Sequence, residues 1–189
     1  MITALWLLGL LGMLGAFDTA YYHEWRARLP ARGRAVASEL KLHAARDFFY
    51  AALFATLPWL EFRGWWVLAL AGVLLGEAVL TMLDFIVEAT ERKPFGDVYA
   101  GERVTHNIMA ITYGAMIAHM IPTMWNWAHQ PTGLVAAHYA MHYSSRPSVP
   151  PALLWTLTAM GLGVFLSGCR DWYAALELPG GNWPWPKIP

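Results

Sequence analysis

The stretch Trp65-WVLALAGVLLGEAVLTMLDFIVEAT-Glu91 decides the fold class. From Trp65 to Val87 it is almost wholly apolar and free of proline, which satisfies the ~20 residues that a helix needs to cross the hydrocarbon core of a bilayer. Its acids are ordered rather than scattered. Glu77, Asp84, Glu88 and Glu91 fall within an arc of about 60° on an ideal helix. Acids on membrane-spanning helices are costly and face a bundle interior or an aqueous cavity, so the stripe marks both the inward face of this helix and a functional layer.

Working outward, four further apolar segments flank it: Ile2 to Tyr22, Asp47 to Leu60, Val104 to Trp127, and Pro151 to Gly168. The second is short, but Ala35 to His43 reads as its helical lead-in, with Ser38 as N-cap. Pro94 and Gly96 punctuate the link to the fourth, whose helix can begin near Gly101. The chain is 57% hydrophobic and 14% charged, against nearer ~25% charged for a soluble domain. These features predict an all-α, polytopic integral membrane bundle of about five transmembrane helices. Residues 1–189 form a single domain with a Trp/Pro-rich cytoplasmic tail from about residue 170. A formal net charge of zero gives no general attraction to nucleic acid, and Cys169 alone excludes an internal disulfide or a CxxC motif.

Basic residues set the orientation. Arg26, Arg28, Arg32, Arg34, Lys41 and Arg46 follow the first segment, and Arg92, Lys93 and Arg103 follow the third. The opposite connections hold only Arg63 and Arg146. Cytoplasmic loops carry the Lys/Arg excess, so the N-terminus is expected outside and the C-terminus in the cytoplasm, in a membrane of the bacterial inner-membrane type. The first segment lacks a basic start and is expected to be a retained anchor rather than a cleaved signal peptide.

With that orientation, ionisable residues from four segments meet at the cytoplasmic membrane face. They are Asp18, Tyr22 and His23; Glu39, His43 and Asp47; Asp84, Glu88 and Glu91; and Glu102 and His106. Glu39-x-x-x-His43 and Glu102-x-x-x-His106 repeat one pattern, each placing a carboxylate and an imidazole on one helix face. Glu39, His43, Asp47, Asp84, Glu88, Glu102 and His106 are therefore the predicted metal ligands. Two histidines with several carboxylates suit a pair of divalent ions, iron first, with manganese or zinc as alternatives. The ligand chemistry resembles that of soluble di-iron carboxylate bundles, although those use Glu-x-x-His and each gap here is one residue longer. The neighbouring Arg46, Arg92, Lys93 and Arg103 support a plainer expectation, snorkelling ion pairs at helix ends.

The function expected from this layer is a metal-dependent, di-iron oxidoreductase acting on a membrane lipid, lipid-like or quinone substrate. A non-enzymatic ion or proton conductor, or a partner subunit with paired charges, is the alternative; a single-zinc hydrolase or a haem-binding protein is a further one. A homo-oligomer or a membrane partner subunit suits either class. No P-loop, Gly-x-Ser-x-Gly, His-Glu-x-x-His or GxGxxG motif is present, nor are the repeated His boxes of membrane desaturases. His119, His129, His138 and His142 form a second, outer group, in which His138-x-x-x-His142 shares a helix face if that segment is helical. His106 and His119 lie about 140° apart on an ideal helix, which disfavours one haem per leaflet.

Overall fold

The computed structural model describes residues 1–140 and 149–188. It is built almost entirely of helices: α1 (Ile2–Asp18), continued by a π-helical stretch (Thr19–Ala27), the short α2 (Leu29–Arg32), α3 (Ala37–Thr56), α4 (Trp66–Glu91), α5 (Ala100–Ala128) and α6 (Pro151–Ala175). Four stretches are long and apolar enough to cross a membrane: Ile2–Ala27, Trp66–Glu91, Ala100–Ala128 and Pro151–Ala175. The fifth long helix, α3, carries Glu39, Lys41, His43, Arg46 and Asp47 and is too polar to qualify on composition. Its neighbours explain how so polar a helix is held within the bundle. α3 packs against both α4 and α6, and Glu39, Leu40, His43, Ala44, Leu53 and Phe54 are buried.

Small residues set the α3–α6 approach. A Cβ added at Gly161 would fall 3.0 Å from the Phe54 Cβ, and one at Gly168 would fall 2.9 Å from the Asp47 Cβ and 3.2 Å from the Ala44 carbonyl oxygen. Helices in lipid gain little from hydrophobic exclusion and associate through such close packing. Below this seam the apolar core gathers Leu5 and Leu8 of α1, Leu53 and Phe54 of α3, Leu70 and Leu74 of α4, Met116 and Met120 of α5, and Leu157 of α6.

Two local readings differ from the sequence expectation. α3 starts at Ala37, so Ser38 lies inside its first turn and makes no capping bond. A carboxylate from another helix takes that role: the free Glu39 N–H donates to Glu91 Oε2 at 3.1 Å. Arg28 (φ 51°) and Gly33 (φ 52°) turn the chain into this start through the short α2 and a 3₁₀ turn at Gly33–Val36. Second, a small antiparallel pair joins β1 (Leu60–Arg63) to β2 (Gly133–Ala136), with Leu60 opposite Ala136 and Arg63 opposite Gly133. It ties the α3–α4 connection to the segment after α5, at the end of the bundle remote from the ionisable layer.

Candidate metal centre

Each member of the layer arrives by its own local device. Asp18 and His23 are five residues apart, which an ideal α-helix would turn about 140° from each other. The π-helical stretch Thr19–Ala27 bonds i to i+5 instead and brings them to one face, with His23 Nε2 3.3 Å from Asp18 Oδ2. His106 enters from the second turn of α5. Its Nε2 lies 3.1 Å from the same Asp18 oxygen and its Nδ1 3.5 Å from Glu88 Oε1, while Phe85 stacks on the ring at 5.2 Å. Ligand atoms of Asp18, His23 and His106 all lie within 4.8 Å of one another, and all three side chains are buried. This group can hold a metal ion.

The spacing fits that reading. Around an ion with bonds of about 2.1 Å, neighbouring ligand atoms sit about 3.0 Å apart in an octahedron and about 3.4 Å apart in a tetrahedron. The 3.1 and 3.3 Å approaches to Asp18 Oδ2 fall on that scale. His23 Nε2 is also 3.3 Å from Glu102 Oε1, yet it has no hydrogen-bond partner in acceptable geometry.

The predicted ligands separate into groups. His43 stacks on His23 with centroids 4.5 Å apart and planes 5° from parallel. Its Nε2 lies 3.3 Å from Asp84 Oδ2 and its Nδ1 3.9 Å from Asp171 Oδ2, and neither ring nitrogen is hydrogen-bonded. Glu88 faces His106. Glu39 and Glu102 share one guanidinium: the buried Arg92 donates from Nε to Glu39 Oε1 at 3.0 Å and from Nη2 to Glu102 Oε1. Glu102 Oε2 also accepts from the Tyr99 N–H at 3.3 Å, at the start of α5. Arg46 donates to Asp84 at 2.6 Å and approaches Glu77 at 3.6 Å. Asp47 is half-buried and lines a cavity beside the layer. Arg103 lies outside the layer and pairs with the exposed Asp97. The expected ion pairs thus exist at Arg46 and Arg92, through partners on other helices; Glu88 is not the partner of Arg92.

Charge in the layer does not balance with these pairs alone. Asp18, Glu39, Glu77, Asp84, Glu88, Glu102 and Asp171 are seven buried carboxylates, against the guanidiniums of Arg46 and Arg92. With neutral imidazoles, five negative charges remain; protons or cations must offset them, because unpaired buried charge is prohibitive. Eight buried carboxylate and imidazole atoms also lack a hydrogen-bond partner among the described residues: one oxygen each of Asp18, Glu39, Asp84 and Glu88, both nitrogens of His43, and one each of His23 and His106. The four carboxylate oxygens, and one nitrogen of each neutral imidazole, are acceptors without donors, which is what a divalent ion satisfies.

A cavity of about 560 Å³ adjoins the layer between α1, α3 and α6. Asp18, His23, His43 and Asp171 line its polar end, and Gly12, Gly15, Phe54, Met109 and Val164 are among its apolar walls. At its rim Glu24 and Arg170 form a two-point ion pair that also receives the tail: Arg170 Nε donates to the Trp183 carbonyl at 2.8 Å and Trp185 Nε1 to Glu24 Oε2 at 3.0 Å. The Trp/Pro-rich segment therefore packs back onto the bundle beside the site.

The outer histidines remain apart from this layer. His119 and His129 are exposed, and His142 lies outside the described residues. His138 bonds instead to the buried Glu61 on β1, through both its ring Nδ1 and its backbone N–H at 3.2 Å, and Arg63 adds a contact at 2.6 Å. Burial pushes the Glu61 carboxyl upward, but these donors outweigh it and hold it below its ordinary value of 4.5. The sign follows by linkage: a depressed carboxylate contributes stability that is full above its unfolded value and is lost as pH falls through the folded one. Protection factors of the β1 and β2 amides should therefore fall as pH drops below the ordinary carboxyl value of 4.5, and Glu61→Gln should abolish that acid dependence. An unchanged acid profile in the Gln protein would dismiss the Glu61 fastening.

Sequence reasoning found the layer but missed three of its members as ligands or partners. Asp18 and His23 look misaligned at α-helical pitch, and only the π-helical stretch aligns them. Asp171 lies past Gly168, where the apolar run ends, yet α6 continues to Ala175 and turns it inward. Neither known protein families, nor characterised proteins, nor solved structures match the chain, so the assignment of this layer rests on its own geometry.

Proposed function

We propose that the chain is an integral membrane oxidoreductase whose layer of acids and histidines holds two iron ions, with a lipid-like or quinone substrate in the adjoining cavity. The observation that carries this reading is the set of buried, unbonded ligand atoms around Asp18, His23 and His106. Those three residues hold the first ion, with Glu88 and Glu102 beside them. His43, with Asp84 and Asp171 near its two nitrogens, holds the second. The His23–His43 stack supports neighbouring positions for the two. Bound iron supplies dioxygen-dependent oxidation chemistry.

The chain's own residues do the rest. Arg92 and Arg46 hold the carboxylates in place and reduce their mutual repulsion. Phe85 fixes the His106 ring, and the apolar cavity keeps water from the reacting end of a substrate. In this reading five helices span, including α3, with the N-terminus outside, so the site lies at the cytoplasmic face; labelling of cysteines introduced at positions 30, 95 and 135 reads that orientation directly. The direct test of activity is oxygen uptake by the iron-loaded protein in lipid nanodiscs on addition of a long-chain alcohol or a short-tailed quinol. Uptake that requires both iron and the amphiphile is expected. Uptake that is the same without iron would refute the oxidoreductase.

A second reading is favoured by one specific observation, the Glu39–Arg92–Glu102 bridge. If such pairs, together with protons, account for the whole layer, the protein is a non-enzymatic conductor or partner subunit, and it retains no metal through purification.

A further inference from the structure

Resting on the reading of the layer as a catalytic site, we propose that the cavity selects a single-chain membrane amphiphile with an uncharged oxygen head group, an alcohol, aldehyde or quinone, and rejects fatty acids and phospholipids. Three observations carry this. The first is the direction of access. Ala16 and Ala20 of the first helix and Gly163 and Leu166 of α6 line the cavity and are themselves exposed, so it opens sideways between these helices. The surface around that opening is apolar, with Met13, Phe17 and Leu162 exposed beside it, which is the surface a lipid chain meets. The opposite approach, from the cytoplasm, is occupied by the Glu24–Arg170 pair and the Trp183–Trp185 tail.

The second is shape. A volume of about 560 Å³ is of the size that takes a small ligand, and glycines at positions 15 and 163 leave room along the wall for one extended chain. The third is charge. The polar end presents Asp18, Asp47 and Asp171, and among the described residues the two guanidiniums that line the cavity, Arg46 and Arg170, are already paired with Asp84 and Glu24. Two divalent ions would offset four of the five negative charges left in the layer, so an anionic head would still meet net negative charge and no unpaired guanidinium among the described residues, whereas a hydroxyl or carbonyl head suffers no such repulsion. The hydroxyls of Tyr50 and Ser167, which hold no metal in this reading, line the same cavity and can hydrogen-bond a neutral oxygen.

The test is photo-crosslinking of the purified, full-length protein in nanodiscs with matched chain-diazirine analogues of hexadecanol and palmitate, the labelled peptides being mapped by mass spectrometry. The hexadecanol analogue should label α1 and α6 at least about tenfold more than the palmitate analogue, the ratio that 1.4 kcal/mol of like-charge repulsion corresponds to. Unlabelled hexadecanol or decyl-benzoquinone should displace it, and the stronger competitor tells an alcohol from a quinone; displacement by neither would overturn the proposal. Gly15→Leu and Gly163→Leu fill the cavity without a clash, since a Cβ at Gly15 meets only Met109 at 3.7 Å and one at Gly163 meets nothing within 4 Å. Both should lose the labelling while keeping wild-type metal content. Equal labelling by palmitate, or persistent labelling in both leucine variants, would overturn the proposal and leave the metal reading intact. Selective alcohol labelling of a protein that never binds metal would do the reverse.

Discussion

The His106→Ala protein is expected to retain less than about a tenth of the wild-type metal and to lose about 3–5 kcal/mol of stability, the cost typical of breaking one side of a buried charge arrangement. Both effects follow from the position of one ring. Its Nε2 faces Asp18 and its Nδ1 faces Glu88, each buried. On the two-ion proposal, alanine removes a ligand from the first ion and leaves two carboxylates in the buried layer without their imidazole. The surface control is His129→Ala, whose ring is exposed and bonds only to the Trp125 carbonyl; it should change neither property. Metal measured by mass spectrometry of the desalted protein, together with thermal unfolding in one detergent, reads both. Full metal content in His106→Ala would remove it from the centre.

Arg92→Met should be the most destabilising single change in the layer, again by about 3–5 kcal/mol, because it strands Glu39 and Glu102 together. The guanidinium is 2% exposed and reaches α3 and α5 from the end of α4, so it fastens three helices by charge. Combining it with Glu39→Gln and Glu102→Gln should restore much of the loss, since no carboxylate is then left unpaired; groups in one network couple strongly. Glu88→Gln, by contrast, should give no rescue of Arg92→Met despite lying four residues away on the same helix, because Glu88 points to His106. Rescue by Glu88→Gln would mean that Arg92 is paired along α4 and not across the bundle.

How far the sequence carries depends on which geometry a residue obeys. The stripe Glu77, Asp84, Glu88 was legible because α4 is a regular helix, and the i, i+4 pairs on α3 and α5 were legible for the same reason. Asp18 and His23 were grouped by position but not as ligands, since the π-helical turn that joins them leaves no plain mark in composition. The Arg92 bridge was invisible for a different reason: a long flexible side chain at a helix end can reach several partners, and local spacing does not choose among them. The β1–β2 pair escaped because two four-residue segments separated by a whole helix carry no local hairpin signal. α3 shows the converse, where hydropathy alone undervalues a helix whose charges are answered within the bundle.

The central claim is that this buried layer is a metal centre, and the most direct measurement is metal stoichiometry with X-ray absorption on protein purified without chelator and supplied with iron. About two irons per chain are expected, with imidazole among the nitrogen and oxygen scatterers, and that imidazole signal should weaken in His23→Ala and His106→Ala. A folded protein that retains no iron, manganese or zinc would contradict it and leave a layer of paired and protonated acids.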